Sequence, residues 1–187
     1  TELTRGPWDP QHQHAGPPCA LVCRAIERAG AAAGYTHLGR LTGNLLRPVP
    51  IGECHVVVTP DYQGRNAGHF SAALVAGGKE VARFTALMQR EDATPVPEGT
   101  PGHPLPVAPR APADSAPCKM PFSTGIGYPE LVENRLAAGR FFAGPSAAWF
   151  RLRFPLVEGE VPSPYQRVAV AAASGNGVSA SLAITRY

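Results

Sequence analysis

Two short helices, each opened by proline and built from small side chains, constrain this chain more than any other feature. The first starts at Gly16-Pro17-Pro18 and continues through Cys19-Ala20-Leu21-Val22-Cys23-Arg24-Ala25-Ile26. The second starts at Ser163-Pro164-Tyr165-Gln166 and continues through Val168-Ala169-Val170-Ala171-Ala172. Proline in a first turn loses no intrahelical hydrogen bond, so both sites read as helix starts. Small side chains let a helix backbone lie close against its neighbour. A strand pattern follows each helix, so the expectation is two copies of a sheet wrapped around a helix. A chain of 187 residues is long enough for one domain or for two small ones packed together.

The segment 93–117 separates the two copies. It holds eight of the 21 prolines, from Pro95 to Pro117. Proline lacks an amide donor and fixes φ, so neither a helix nor a central strand is expected there. The segment reads as a semi-rigid linker between halves at 1–92 and 118–187.

In the first half, Leu21, Val22, Ala25, Ile26 and Ala29 fall on one helical face. Arg24, Glu27 and Arg28 face away, and Gly34 is the stop. Strand-like runs follow at 38–47, 54–59, 69–76 and 79–88, the first two ended by Pro48 and Pro60. Phe70, Ala72 and Leu74 share one face of their run. Ala82, Phe84, Ala86 and Met88 share one face of the next, with Gly77-Gly78 as a two-residue hairpin turn between them. A helix followed by an antiparallel meander is α+β. In the second half, 128–136 and 147–155 read as strands. Ser163 to Gln166 fits a capping box, the helix stops at Gly175 or Gly177, and 178–186 reads as a last strand.

Composition narrows the function classes. The formal charge of +3 comes from scattered arginines with no dense basic stripe, which argues against a nucleic-acid binder. No apolar run approaches the ~20 residues of a membrane-spanning helix, and no basic start precedes an apolar stretch. Cys19 and Cys23 are one helical turn apart, a spacing that fits neither a zinc motif nor a disulfide. With Cys54 and Cys118 they read as reduced thiols of a cytoplasmic protein. His12, His55 and His69 do not cluster, so no metal and no cofactor is called for.

Several stretches carry a family resemblance. They are Arg5-Gly6-Pro7-Trp8-Asp9-Pro10, His14-Ala15-Gly16-Pro17-Pro18-Cys19-Ala20-Leu21 and Leu45-Leu46-Arg47-Pro48-Val49-Pro50 in the first half. In the second half they are Ala148-Trp149-Phe150-Arg151-Leu152-Arg153, Ser163-Pro164-Tyr165-Gln166-Arg167 and Ser174-Gly175-Asn176-Gly177. In order and spacing the chain resembles the double hot-dog acyl-CoA thioesterases of the type II kind, in the actinobacterial thioesterase-like branch. The resemblance implies an α+β hot-dog fold in two units, the second incomplete, with further strands beyond the position of Tyr187. It also implies an acyl-CoA substrate. The short second half leaves a sheet edge unpaired, and pairing with a second copy in a homodimer is the expected completion. Two positions depart from the family's pattern: Ala15 stands where Gly is usual, and Ala173 where an acidic residue is frequent. The family's water-activating Asp, Thr or Ser, and Gln have no counterpart to carry over.

Thioester hydrolysis needs a polarised carbonyl oxygen and an aimed water. Amides at a helix start supply the first, which makes Ala15 and Gly16 candidates, since Pro17 and Pro18 have no N–H to donate. His14, just before the helix, is the candidate catalytic imidazole or, alternatively, a loop histidine capping the helix. Asn176 is the candidate for orienting a water or a carbonyl, or else a left-handed turn residue beside glycines. Ser174 and Gly175 are candidate substrate contacts or helix-end turn residues. Trp149 reads as a core residue although it alternates with Arg151. Cys19 is either a thiol of lowered pKa near a helix start or a small buried hydrophobe. Three functions remain: an acyl-CoA thioesterase, a non-catalytic hot-dog module binding acyl chains or a protein partner, and a hydratase-type hot-dog. The last would need an Asp and a His on one loop, and no such pair stands out.

Overall fold

The computed structural model describes residues 1–92, 95, 97–102, 110–119 and 125–181. Helix α1 (Gly16–Ala32) begins at the proline pair and ends in a Schellman arrangement. Gly34 takes φ +82°. Its amide bonds the Ala31 carbonyl at 3.0 Å, and the Tyr35 amide bonds the Gly30 carbonyl at 2.9 Å. Four antiparallel strands follow: β1 (His37–Leu45), β2 (Cys54–Gln63), β3 (Ala67–Ala76) and β4 (Lys79–Gln89). Their order in the sheet is β1-β4-β3-β2. The Gly77-Gly78 turn has positive φ at both residues, the geometry of a two-residue hairpin. The expected faces are the observed ones: Phe70, Ala72, Leu74, Ala82, Phe84, Ala86 and Met88 are buried together with Val22 and Ile26 of α1.

The strand expected to stop at Pro60 runs on to Gln63. Strand β2 lies at the sheet edge, and its pairing with β3 slips between Pro60 and Tyr62. A proline is tolerated at such a bulge on an edge.

The second half is a smaller sheet with its own helix. Strand β5 (Ala116–Cys118) pairs with β6 (Val132–Ala138), which pairs with β7 (Ala147–Leu152), all antiparallel. The short β5 falls inside the proline-rich segment, on an edge where Pro117 does no harm. The strand expected from residue 128 begins instead with a one-turn helix, α2 (Tyr128–Leu131), because Pro129 suits a first helical turn and not a strand. Helix α3 (Pro164–Ala172) has Ser163 as its N-cap, and the Ser163 hydroxyl accepts from the Gln166 amide at 3.1 Å. The capping box is only half formed, because the Gln166 side chain donates to Glu27 of α1 at 2.8 Å instead of reaching back. α3 stops at Ala172, earlier than the expected glycines, and a separate turn, α4 (Gly175–Val178), follows. Of the strand expected over 178–186, residues 182–186 lie outside the described residues.

Helices α1 and α3 pack on each other, so α1 is buried on two sides. Val22 and Ile26 face the first sheet. Ala20 and Cys23 face Val170, Ala169, Tyr128 and Val132 of the second half. Arg24 and Glu27 therefore do not look into solvent as expected. Arg24 donates through Nε to Glu160 at 2.6 Å, and Arg28 reaches the same carboxylate at 3.0 Å. Trp149 is not a core residue either: it is 37% exposed, and its Nε1 donates to the Arg110 carbonyl at 2.7 Å. Its neighbour Arg151 shares that outer face, where Glu133 accepts from both Arg135 and Arg151.

Candidate functional site

The residues before α1 are held from both sides. The His14 amide donates to the Thr4 carbonyl at 2.7 Å, and the Gln13 amide to the Val49 carbonyl at 2.8 Å. The Arg5 carbonyl accepts from the Tyr128 amide at 2.9 Å. This loop is thereby tied to the β1–β2 connection and to α2 at once, and it delivers His14 to the junction of the two halves.

There the imidazole lies flat on the Tyr128 ring, with centroids 3.6 Å apart and planes 16° from parallel. Its Nδ1 accepts from the Gly16 amide at 3.1 Å. Tyr128 is fully buried. Its hydroxyl donates to the Val170 carbonyl at 3.0 Å, in the last turn of α3, and lies 2.9 Å from the Ser174 hydroxyl. The Ser174 amide turns back to the Ala171 carbonyl at 2.9 Å, which ends α3. Carbonyls in a last turn lack intrahelical partners, and Tyr128 satisfies one of them.

Gly16 has no room for a side chain. A Cβ there would sit 2.7 Å from the Val170 carbonyl oxygen and 3.2 Å from both His14 Nδ1 and the Tyr128 ring. The start of α1 and the end of α3 approach this closely only because the residue is glycine.

Burial decides the protonation states. It pushes the His14 imidazole down to about 4, so the ring is neutral at pH 7. It pushes the Tyr128 phenol up to about 12. It also pushes the Cys19 thiol up to about 11 and Cys23 to about 12, so Cys19 is not an activated thiol; burial outweighs its place near a helix start.

The structure thus brings His14, Ala15 and Gly16 from one half together with Ser174 from the other. Gly175 follows Ser174 and is exposed. Asn176 belongs to α4 by its backbone, and its side chain lies outside the described residues. One expected donor is already engaged: the Gly16 amide is bonded to His14, and Pro17 and Pro18 have none, so only the Ala15 amide of the expected pair is left to donate. Tyr128, which links all these groups, was not singled out by the sequence. Its signal was the proline beside it, which ruled out a strand start. Among the described residues no group of three or more His, Cys, Asp or Glu side chains is placed to hold a metal.

Residues 4–89 match the family described as the acyl-CoA thioesterase N-terminal domain. No curated protein matches the chain significantly. Among solved structures, the chain is similar to a conserved protein of unknown function with a hot-dog fold from Alicyclobacillus acidocaldarius. The identity is 17% and the TM-score 0.60, over 89% of this chain and 60% of that one. It is also similar to the tesB protein of Mycobacterium avium subsp. paratuberculosis, with 17% identity and a TM-score of 0.57, over 87% of this chain and 58% of the other. The fold is therefore the α+β hot-dog fold, and the chain spans about three fifths of the length of these two structures.

Proposed function

We propose that the protein binds acyl-CoA thioesters and hydrolyses them to a free acid and CoA. The carrying observation is the meeting of His14, Ala15 and Gly16 at the start of α1 with Ser174 at the end of α3, inside a chain whose residues 4–89 match a thioesterase domain. In the reaction a water oxygen adds to the thioester carbonyl carbon, the C–S bond breaks, and the proton ends on the CoA sulfur. The carbonyl oxygen gathers negative charge on the way and needs donors aimed at it. His14 and the Ala15 amide stand at the place proposed for it. Asn176, in the Ser174-Gly175-Asn176 turn, orients the attacking water. Gly16, Ser174 and Gly175 line the acyl-thioester beside them.

In this reading 1–92 and 118–187 are two hot-dog units joined by the segment 93–117. The working form is a homodimer in the cytoplasm.

A second reading has its own support. Ala173 stands where an acidic residue is frequent, and His14 offers no free basic nitrogen, since Nδ1 is taken up by Gly16. A module that binds acyl chains, or a protein partner, without cleaving them fits those two facts.

The test is release of free CoA from a panel of short- to long-chain acyl-CoAs, with the protein and its His14→Ala variant. Turnover that varies with chain length supports the hydrolase. Binding of acyl-CoA without turnover replaces it with the binding module, and absence of both refutes the acyl-thioester reading.

A further inference from the structure

His14 has one nitrogen committed and one uncommitted. Nδ1 accepts from the Gly16 amide, so in the neutral ring the proton sits on Nε2. Among the described residues, nothing accepts a hydrogen bond from Nε2. A histidine built as a general base needs the opposite arrangement, with a free lone pair facing the reacting water. This ring is set to give a hydrogen bond instead.

The setting is firm. Tyr128 covers one face of the ring across 3.6 Å and is itself pinned through its hydroxyl to Val170 and Ser174. The ring's position is thus tied to the end of α3, in the other half of the molecule. Resting on the acyl-thioester reading above, we propose that His14 acts on a bound thioester as a neutral hydrogen-bond donor through Nε2, that the Gly16 amide holds it in that tautomer, and that Tyr128 is the positioning residue that holds the ring's orientation. A neutral imidazole polarises a carbonyl without the desolvation cost of a buried cation.

Histidine 15N NMR on the full chain tests this without depending on turnover. The His14→Gln spectrum identifies the signal among the six histidines. The expected result is a neutral ring with the proton on Nε2 from pH 5 to 8. Its Nε2–H proton should move downfield when the protein is saturated with an acyl-CoA analogue in which CH2 replaces the thioester sulfur and the carbonyl is kept. Tyr128→Phe, which keeps the ring stack, should preserve the tautomer. Tyr128→Leu, which removes it, should let the ring titrate closer to 6.5. In turnover, His14→Ala should lose about 100- to 1000-fold in kcat, and His14→Gln, which keeps an N–H donor, should stay within about tenfold of the native protein.

A proton on Nδ1, a charged ring between pH 5 and 8, or a His14 signal unmoved by an analogue that shifts other resonances would overturn the proposal. So would equal losses in the Gln and Ala variants, the pattern of a lost base. If no resonance of the protein moves with the analogue, the acyl-thioester reading itself fails and this inference with it. Native protein that binds the analogue as expected but releases no CoA loses only the hydrolase reading, and the donor role stands as a binding contact.

Discussion

Replacing Gly16 by alanine tests the close approach of α1 and α3. The backbone φ of Gly16 is not in the left-handed region, so alanine meets no conformational strain there. Propensity alone would favour alanine by up to ~1 kcal/mol in a helix interior, and by less in a first turn. Against this, the new Cβ lands 2.7 Å from the Val170 carbonyl oxygen, a backbone atom that cannot swing away as a side chain can. The other close neighbours, His14 Nδ1 and the Tyr128 ring, are both fixed by the contacts that define the site. Overpacking of this kind costs ~1–3 kcal/mol. The clash wins, and the net loss is ~1–2 kcal/mol, or a fall in Tm of roughly 2–8 °C for a chain of this length. Gly52→Ala is the control, since a Cβ there has nothing within 4 Å and no left-handed φ. It should be neutral or stabilising by up to ~1 kcal/mol. Calorimetry on both variants beside the native protein decides the matter. A Tm for Gly16→Ala equal to or above that of Gly52→Ala would refute the close approach of α1 and α3, and with it the stack of His14 on Tyr128.

Two further outcomes are expected. Phe84→Ala, which empties a fully buried position between the first sheet and α1, should cost ~3–5 kcal/mol by denaturant unfolding; a loss under 1 kcal/mol would mean the sheet does not close on the helix as described. The His14 imidazole has a folded pKa lowered by burial from 6.5 to about 4, so the unfolded chain binds the extra proton first as pH falls. Its stabilising contribution is complete above pH 6.5 and drains away between 6.5 and about 4, by ~3 kcal/mol in all. Unfolding curves from pH 7.5 to 4 should therefore slope less in His14→Gln than in the native protein, and parallel curves would place His14 in solvent.

What the sequence made legible was local. Period-two alternation placed Phe70, Leu74, Phe84 and Met88 in the core, because a half-buried strand forces that pattern on its own residues. Proline at a first turn marked both helix starts for an equally local reason. The differences at Arg24, Glu27 and Trp149 turn on partners far along the chain. Arg24 and Glu27 were assigned to solvent because the helix pattern shows one apolar stripe and cannot show a second helix laid on the other side, where Glu160 and Gln166 meet them. Trp149 was assigned to the core by its size, yet its strand faces the described end of the proline-rich segment, which offers the Arg110 carbonyl to its indole. Helix α3 ends where the Ser174 amide turns back to the Ala171 carbonyl, and Tyr128, some forty residues upstream, satisfies the Val170 carbonyl of its last turn.

The same contrast explains the site. The sequence picked out His14, Gly16 and Ser174 one at a time, each for its residue type beside a helix end. It gave no reason for them to meet, because the residue that gathers them is an apolar ring with one hydroxyl, in a segment that read as strand. Once Tyr128 is in place, the roles separate. Gly16 is glycine for want of space, and its amide is spent on His14 rather than on a ligand. Ser174 supports the phenol. Among the described residues, the far nitrogen of His14 and the amide of Ala15 are still able to donate beside the start of α1. Both offer a proton, which is what the carbonyl oxygen of the proposed thioester substrate would require as it gathers charge.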